Sequence, residues 1–383
     1  MKRSILITAI IFFLIANVYG TAETDLMGKV PFTRLSHYIL VTAKINGSEK
    51  DYNFIIDTGG ITIIDKTVVQ ELDLKQRGSM AKISTLNLSG YQIENIFCFT
   101  TFDFSLFRRV GTPIHGIIGS NLLDRYKVEF DFQSNIVTFS ADTTSLMPFD
   151  NELYFTFRSH PVNNAPIIRF KVNQRTIEGM IDTGQPYPVV LPFNDFEQYK
   201  QSFDTDSIRS KGIMIKWPQT TPRYNYLTRL KSIEFEKLKI TDAICIFGEI
   251  PSMLSMPLIG TDLLSQFKMI INYPKHEMIL IPNPDKHFED NQFSLGLNLN
   301  LSEKNEIFVE GVWENSPADK DSIQVGDRVI AFDSKKVTSE NLIELMELMK
   351  DDNIQSINLE VKNQQGIRKL KLNKTMLFYD LKK

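Results

Sequence analysis

The sequence predicts a mainly β protein built by internal duplication, two β-barrel lobes in tandem followed by a small α+β unit. Three observations predict it. Apolar and polar residues alternate through 38–45 and 167–172, and Asn-Gly, Ser-Gly and Pro breaks separate such runs, which is the period-two pattern of short antiparallel strands. A set of motifs occurs twice in the same order before residue 282. Beyond about residue 291 the repeat stops and a different strand and helix pattern takes over.

The duplicated motifs begin with Asp57-Thr58-Gly59 and Asp182-Thr183-Gly184, each closing an apolar run, Phe54-Ile55-Ile56 and Met180-Ile181. Leu86-Asn87-Leu88 through Ile96-Phe97-Cys98-Phe99 then lies over Ile233-Glu234-Phe235 through Ile244-Cys245-Ile246. Next come Ile117-Ile118-Gly119-Ser120-Asn121-Leu122-Leu123 and Leu258-Ile259-Gly260-Thr261-Asp262-Leu263-Leu264. Last, Arg125-Tyr126-Lys127-Val128-Glu129-Phe130 lies over Gln266-Phe267-Lys268-Met269-Ile270-Ile271. Short helices are expected at 67–74 and 122–126 and at their counterparts 193–199 and 263–267. The second half is longer between its tripeptide and its cysteine, so an insert carrying Ile213, Ile215, Trp217 and Tyr224 falls between Tyr199 and Leu230. This insert is expected as an enlarged flap or loop over a cleft.

One Asp-Thr-Gly alone reads as an ordinary turn at a strand end. Two copies in matched contexts read as a pair. Two carboxyls held close together cannot both ionise, so one keeps a proton as an acid while the other becomes a base. Such a pair can activate water for attack on an amide. On these motifs residues 35–282 resemble the aspartic proteases of the pepsin and retropepsin type, whose two lobes each give one Asp-Thr/Ser-Gly loop and one apolar-apolar-Gly strand. The resemblance implies Asp57 and Asp182 as catalytic residues. It implies Thr58, Gly59, Thr183, Gly184, Gly119 and Gly260 as support of the dyad, and a polypeptide substrate with no cofactor. The residues after the two tripeptides are Gly60 and Gln185, where the family favours a small side chain. A protease-like protein that binds peptide without cleaving it therefore stands as the alternative. Both halves carry a full motif set, so a monomer is expected, with a homodimer of paired lobes as the other arrangement.

The C-terminal segment carries Phe293-Ser294-Leu295-Gly296-Leu297, Ser316-Pro317-Ala318 and Val325-Gly326-Asp327, then Leu342, Leu345, Met346 and Met349 at helical spacing after Thr338, read as an N-cap. It is similar to a PDZ domain of the kind attached to bacterial secreted proteases. That implies peptide or C-terminus binding by strand addition, with the amides of Leu295, Gly296 and Leu297 taking the carboxylate. A polar, Pro-containing linker at 282–285 makes it an independent folding unit by expectation. The expected division is 1–20 signal peptide, 21–145 first lobe, 146–285 second lobe and 290–376 PDZ domain.

The chain of 383 residues has a formal charge of −3 and no basic tract, which argues against a nucleic-acid partner. Its five histidines are scattered, with no His-Glu-x-x-His or Cys-x-x-Cys, so no metal is expected, and no Gly-x-Ser-x-Gly elbow marks a serine nucleophile. Cys98 and Cys245 fall at equivalent strand positions and read as buried hydrophobes rather than a bridge. Met1-Lys2-Arg3 followed by an apolar run to Ala16 reads as a secretory signal cut after Gly20. A secreted or periplasmic protein follows, or, if the segment stays uncut, a membrane-anchored one.

Overall fold

In the computed structural model the described residues are 27–102, 104, 107, 112–200, 207–215, 223–251, 254 and 256–378. The expected signal segment and Trp217 lie outside them. The first motif set forms one sheet in the strand order Thr33–Leu35, Tyr38–Ile45, Tyr52–Asp57, Gly116–Gly119, Ile63–Ile64, Tyr91–Phe99, Met80–Leu88, Gln76–Arg77. It closes on itself where Lys44 and Ile45 pair with Asn87 and Leu86. The second set repeats this order: Arg158–Ser159, Pro166–Val172, Arg175–Ile181, Leu258–Ile259, Val189–Pro192, Leu238–Gly248, Tyr226–Phe235, Ile208–Gly212. Its closure, Lys171 and Val172 on Glu234 and Ile233, falls at the same place. The motif repeat is thus a repeat of strand topology.

The halves meet in a third sheet, ordered Met27–Pro31, Ile136–Ser140, Lys127–Asp131, Phe267–Asn272, Glu277–Pro282, Leu153–Thr156. At its centre Val128, Glu129 and Phe130 pair antiparallel with Ile271, Ile270 and Met269. Glu129 and Ile270 are equivalent positions of the duplication and are each other's partner. That is the signature of a local two-fold axis through this pair. Val128, Phe130, Phe139, Met269 and Ile271 are fully buried beneath the sheet, and one continuous core joins both halves through them.

The short helices form near their expected positions, Lys66–Glu71, Ser120–Leu123, Phe196–Lys200 and Thr261–Leu264. Asp65 caps the first by accepting from Thr67 N–H at 2.8 Å. The C-terminal helix runs Leu342–Lys350, and its N-cap is Asn341 rather than Thr338. Asn341 Oδ1 faces back to accept from Thr338 N–H at 2.8 Å, which holds the approach to the helix in a turn. Cys98 and Cys245 are both buried and unbridged. Burial pushes the Cys98 thiol up to about 12 and that of Cys245 well above its ordinary range.

The C-terminal unit has its own core of Leu295, Val309, Phe332, Leu345, Ile357 and Leu372. It is also joined to the second lobe by strand pairing and packing. The strand Ile208–Gly212, from the insert of the second half, pairs on one side with Tyr226–Phe235. On the other side Ser210, Lys211 and Gly212 pair with Trp313, Val312 and Gly311. The sheet therefore runs unbroken from the second lobe into the C-terminal unit, fourteen strands among the described residues. Within the insert the strand Ile208–Gly212 forms this bridge, and the stretch with Trp217, on which the expected flap or loop rests, lies outside the described residues. Trp313, Leu377 and Phe378 also pack against Val190, Leu227, Ile246 and Leu258 of the second lobe. The linker itself is tied down, Asn283 donating to Ser265 O at 2.9 Å and His287 N–H to Gln266 Oε1 at 2.8 Å.

Two outcomes follow from this shared core. Trp313→Ala should cost about 3–5 kcal/mol, the range for large aromatic truncations in a core, measured by denaturant unfolding of the full chain. A chain ending at Asp285 would lose Trp313, Leu377 and Phe378 together and should be insoluble or molten, whereas calorimetry of the full chain should show the C-terminal unit melting with the second lobe in one transition.

Candidate functional site

Asp57 ends the strand Tyr52–Asp57, and Asp182 follows directly on the strand Arg175–Ile181. The apolar runs before them are buried in the lobe cores, so both loops emerge where the halves face each other. Parallel pairing then fixes the downstream glycine strands beside them, Asp57 opposite Gly119 and Ile181 opposite Ile259.

The two loops clasp through their threonines. Thr58 N–H donates to Thr183 Oγ1 at 3.0 Å, and Thr183 N–H donates to Thr58 Oγ1 at 3.1 Å. Each hydroxyl then donates across the interface, Thr58 Oγ1 to Ile181 O at 2.8 Å and Thr183 Oγ1 to Ile56 O at 3.0 Å. Both side chains are fully buried, so each of these bonds replaces water that cannot reach the site. Outside this clasp, Ser120 Oγ donates to Thr58 O at 2.7 Å and Thr261 Oγ1 to Thr183 O at 3.0 Å. Sequence reasoning passed over Ser120 and Thr261, although the signal was present as a small hydroxyl residue after each downstream glycine. It also passed over Asn163, whose Nδ2 donates to Gly59 O at 2.6 Å.

The carboxyls face each other because glycines make room. Gly59 N–H donates to Asp57 Oδ1 at 2.9 Å, and Gly184 N–H to Asp182 Oδ1 at 2.9 Å. A Cβ on Gly59 would lie 2.4 Å from Asp182 Cγ, and one on Gly184 would lie 2.6 Å from Asp57 Cγ. Each tripeptide glycine is thus required by the other lobe's aspartate. Gly119 and Gly260 admit backbone in the same way, a Cβ there meeting Ile61 C at 2.3 Å and Tyr187 O at 2.3 Å.

Gln185 is buried and turns away from the pair. Its Oε1 accepts from Tyr187 N–H at 2.9 Å and its Nε2 donates to Tyr187 O, closing a turn within its own loop. Its backbone N–H meanwhile supports Asp182 as that of Gly60 supports Asp57.

Burial raises the carboxyl of Asp57 above its ordinary range. Asp182 lies well above its own, first through burial and then through the negative charge of Asp57 beside it. The two carboxyls titrate as a pair, with Asp182 held further above its ordinary range than Asp57. Among the described residues no group of three His, Cys, Asp or Glu side chains gathers as a metal site.

The glycine loop of the C-terminal unit is also formed. Gly296 adopts φ +80°, and a Cβ there would meet Ser316 Cβ at 2.1 Å. Leu295 is a core residue whose carbonyl accepts from Ala318 N–H at 3.1 Å, and Gly296 O accepts from Trp313 N–H at 2.9 Å. The N–H of Gly296 is taken by Ser294 Oγ at 2.9 Å. Leu297 begins the strand Leu297–Leu301, which among the described residues pairs on one side only, and the helix Leu342–Lys350 flanks the groove at its other side.

Comparison with known proteins agrees with this part of the fold. Residues 285–362 match the PDZ domain family, so the chain contains a PDZ domain, whose sheet extends beyond the match through the strand Gly366–Asn373. A peptide or partner protein is the kind of ligand such a domain takes. No curated protein matches the chain.

The clasp generates a stability prediction. Thr58→Ala leaves Thr183 N–H buried without an acceptor, and Thr183→Ala does the same to Thr58 N–H. Each should destabilise by about 1–3 kcal/mol in urea unfolding, and Ser at either position should restore most of it.

Proposed function

We propose that the chain is an aspartic endopeptidase, with the regions 21–145 and 146–285 as its two lobes and Asp57 and Asp182 as its dyad. One observation carries this reading: two equivalent carboxyls face each other at an interface whose threonines and glycines serve the opposite lobe. Asp57, the more acidic of the two, takes the proton of a water held between them, while Asp182 gives its proton to the carbonyl oxygen of the scissile amide. The oxygen–carbon bond forms and a tetrahedral diol results. The proton taken up by Asp57 then passes to the leaving nitrogen as the carbon–nitrogen bond breaks, and Asp182 recovers its own from the diol. The side chain of Gln185 is engaged with Tyr187 rather than with Asp182, which favours the catalytic reading over a peptide binder that does not cleave.

We further propose that the enzyme acts outside the cytoplasm, from the signal-like start of the sequence, and as a monomer, since one chain supplies both carboxyls. Specific activity should then stay constant on dilution.

Asp57→Asn and Asp182→Asn should each lower kcat/KM on a mixed peptide library by about 10²–10⁴ or more, with unfolding midpoints near wild type. Near-normal turnover by either variant would remove the dyad. The pH profile should be a bell. Its acid limb rises as Asp57 ionises, above the ordinary carboxylate range, and its alkaline limb falls as Asp182 loses its proton at higher pH. Stability carries the matching sign. With a folded value raised above the ordinary 3.8, Asp182 favours the fold most at acid pH, and that contribution fades as pH climbs through its folded value. A statine-type inhibitor should block turnover, and a chelator should leave it unchanged.

A further inference from the structure

A cavity of about 690 Å³ lies where the PDZ groove meets both lobes, a size within the ~300–1,000 Å³ of ligand sites. Leu297 to Leu299 and the helix residues Met346 and Met349 form its PDZ side. Its opposite wall belongs to the dyad loops' own elements. Pro186 and Tyr187 continue the second loop beyond Gly184, and Tyr38 precedes Ile39, whose strand partner Ile56 is the neighbour of Asp57. The groove therefore opens toward the lobes rather than to an independent partner on the far side of the domain.

The charge of this chamber differs from what a carboxylate-binding groove needs. Asp262, Glu289 and Asp352 line it, with Lys350 as the one lysine or arginine in its wall among the described residues. Lys350 Nζ donates to Ser36 Oγ of the first lobe at 2.9 Å. Among the described residues neither Asp262 nor Asp352 forms a salt bridge, while Glu289 has His287 at 3.4 Å. The amide of Gly296, the natural anchor for a terminal carboxylate, is already held by Ser294. Two buried polar atoms of wall residues also lack partners among the described residues, the indole Nε1–H of fully buried Trp313 and Oε1 of Gln292. These are one donor and one acceptor, the pair a peptide backbone would satisfy.

We propose that this chamber holds a basic segment of the polypeptide substrate, added as a strand beside Leu297–Leu301, so that PDZ groove and proteolytic cleft are filled by one chain. This rests on the reading of the lobes as a peptide cleft. It makes the preferred substrate an extended polypeptide with Lys or Arg some residues from the scissile bond, recognised by side-chain charge and not by a free C-terminus. Apolar contacts to Met346 and Met349 suit the stems of such side chains, which bury their methylenes while the ammonium reaches a carboxylate.

The test uses the full-length Asp57→Asn chain, which binds without cleaving, and fluorescence anisotropy of short labelled Val/Thr peptides. One peptide carries Lys at alternate positions and another Glu at the same positions, each as free acid and as C-terminal amide. The Lys peptide should bind about tenfold tighter or more than the Glu peptide, its amide as well as its acid, and the gap should shrink at high salt. Asp262→Asn with Asp352→Asn should erase the gap while the thermal midpoint holds. If that pair of changes unfolds the chain, the salt dependence decides by itself. Equal binding of the two peptides, or binding only of the free acids, overturns the proposal. A wild type that binds the Lys peptide yet cleaves nothing would sink the proteolytic reading and leave the chamber standing. A wild type that cleaves without charge preference would do the reverse.

Discussion

The mutual clasp of Thr58 and Thr183 is the constraint on which the rest of the site depends. Each threonine uses its backbone N–H and its hydroxyl on the opposite half, so neither loop has a complete set of partners without the other. A buried N–H left unpaired costs more than a made bond contributes, so the clasp opens only with the interface. Everything near it inherits that rigidity. The aspartates extend from the same loops, Gly59 and Gly184 leave space sized for the opposite carboxyl, and Ser120 and Thr261 hold the loop carbonyls from outside.

Rigidity here is also electrostatic. Two carboxyls that could move apart would both ionise and take up water. Held in place and buried, they divide one proton instead. The asymmetry between the two carboxyls needs little chemical difference between the lobes. It arises from small differences in the surroundings of two nearly equivalent groups, with Asp182 the more buried.

How much of this is legible in the sequence depends on the range of the interaction. The tripeptides, the apolar runs before them and the glycine strands after them are local, so pattern alone draws attention to Asp57, Asp182, Thr58, Thr183 and the four glycines, whereas Ser120, Thr261 and Asn163, which hold the same loops, are passed over. The two-fold pairing of Glu129 with Ile270 agrees with the repeat from which the alignment was drawn. The bridge is another matter. Nothing local to 208–212 says that this strand will pair with Trp313, Val312 and Gly311 about a hundred residues away, and a Pro-containing linker argues in the opposite direction. The lining of the PDZ-side chamber is equally non-local, since Asp262, Glu289 and Asp352 belong to three separate stretches of chain. The helix cap shows the same limit at short range, for Thr338 and Asn341 are both acceptable caps and only the turn they form together decides between them.

The bridging strand has a consequence for the solubility of the folded chain. Each lobe's sheet ends in a strand that would present unpaired amides and carbonyls to any other extended chain, the usual route to edge-to-edge aggregation. The first lobe blunts this edge by making it only two residues long, with exposed Gln76 and Arg77. The second lobe's edge, Ile208–Gly212, is longer, and long edges are the dangerous ones. Its outer side is covered by Ile307–Trp313, so the PDZ domain acts there as a permanent intramolecular gatekeeper against association of the lobe with its own kind.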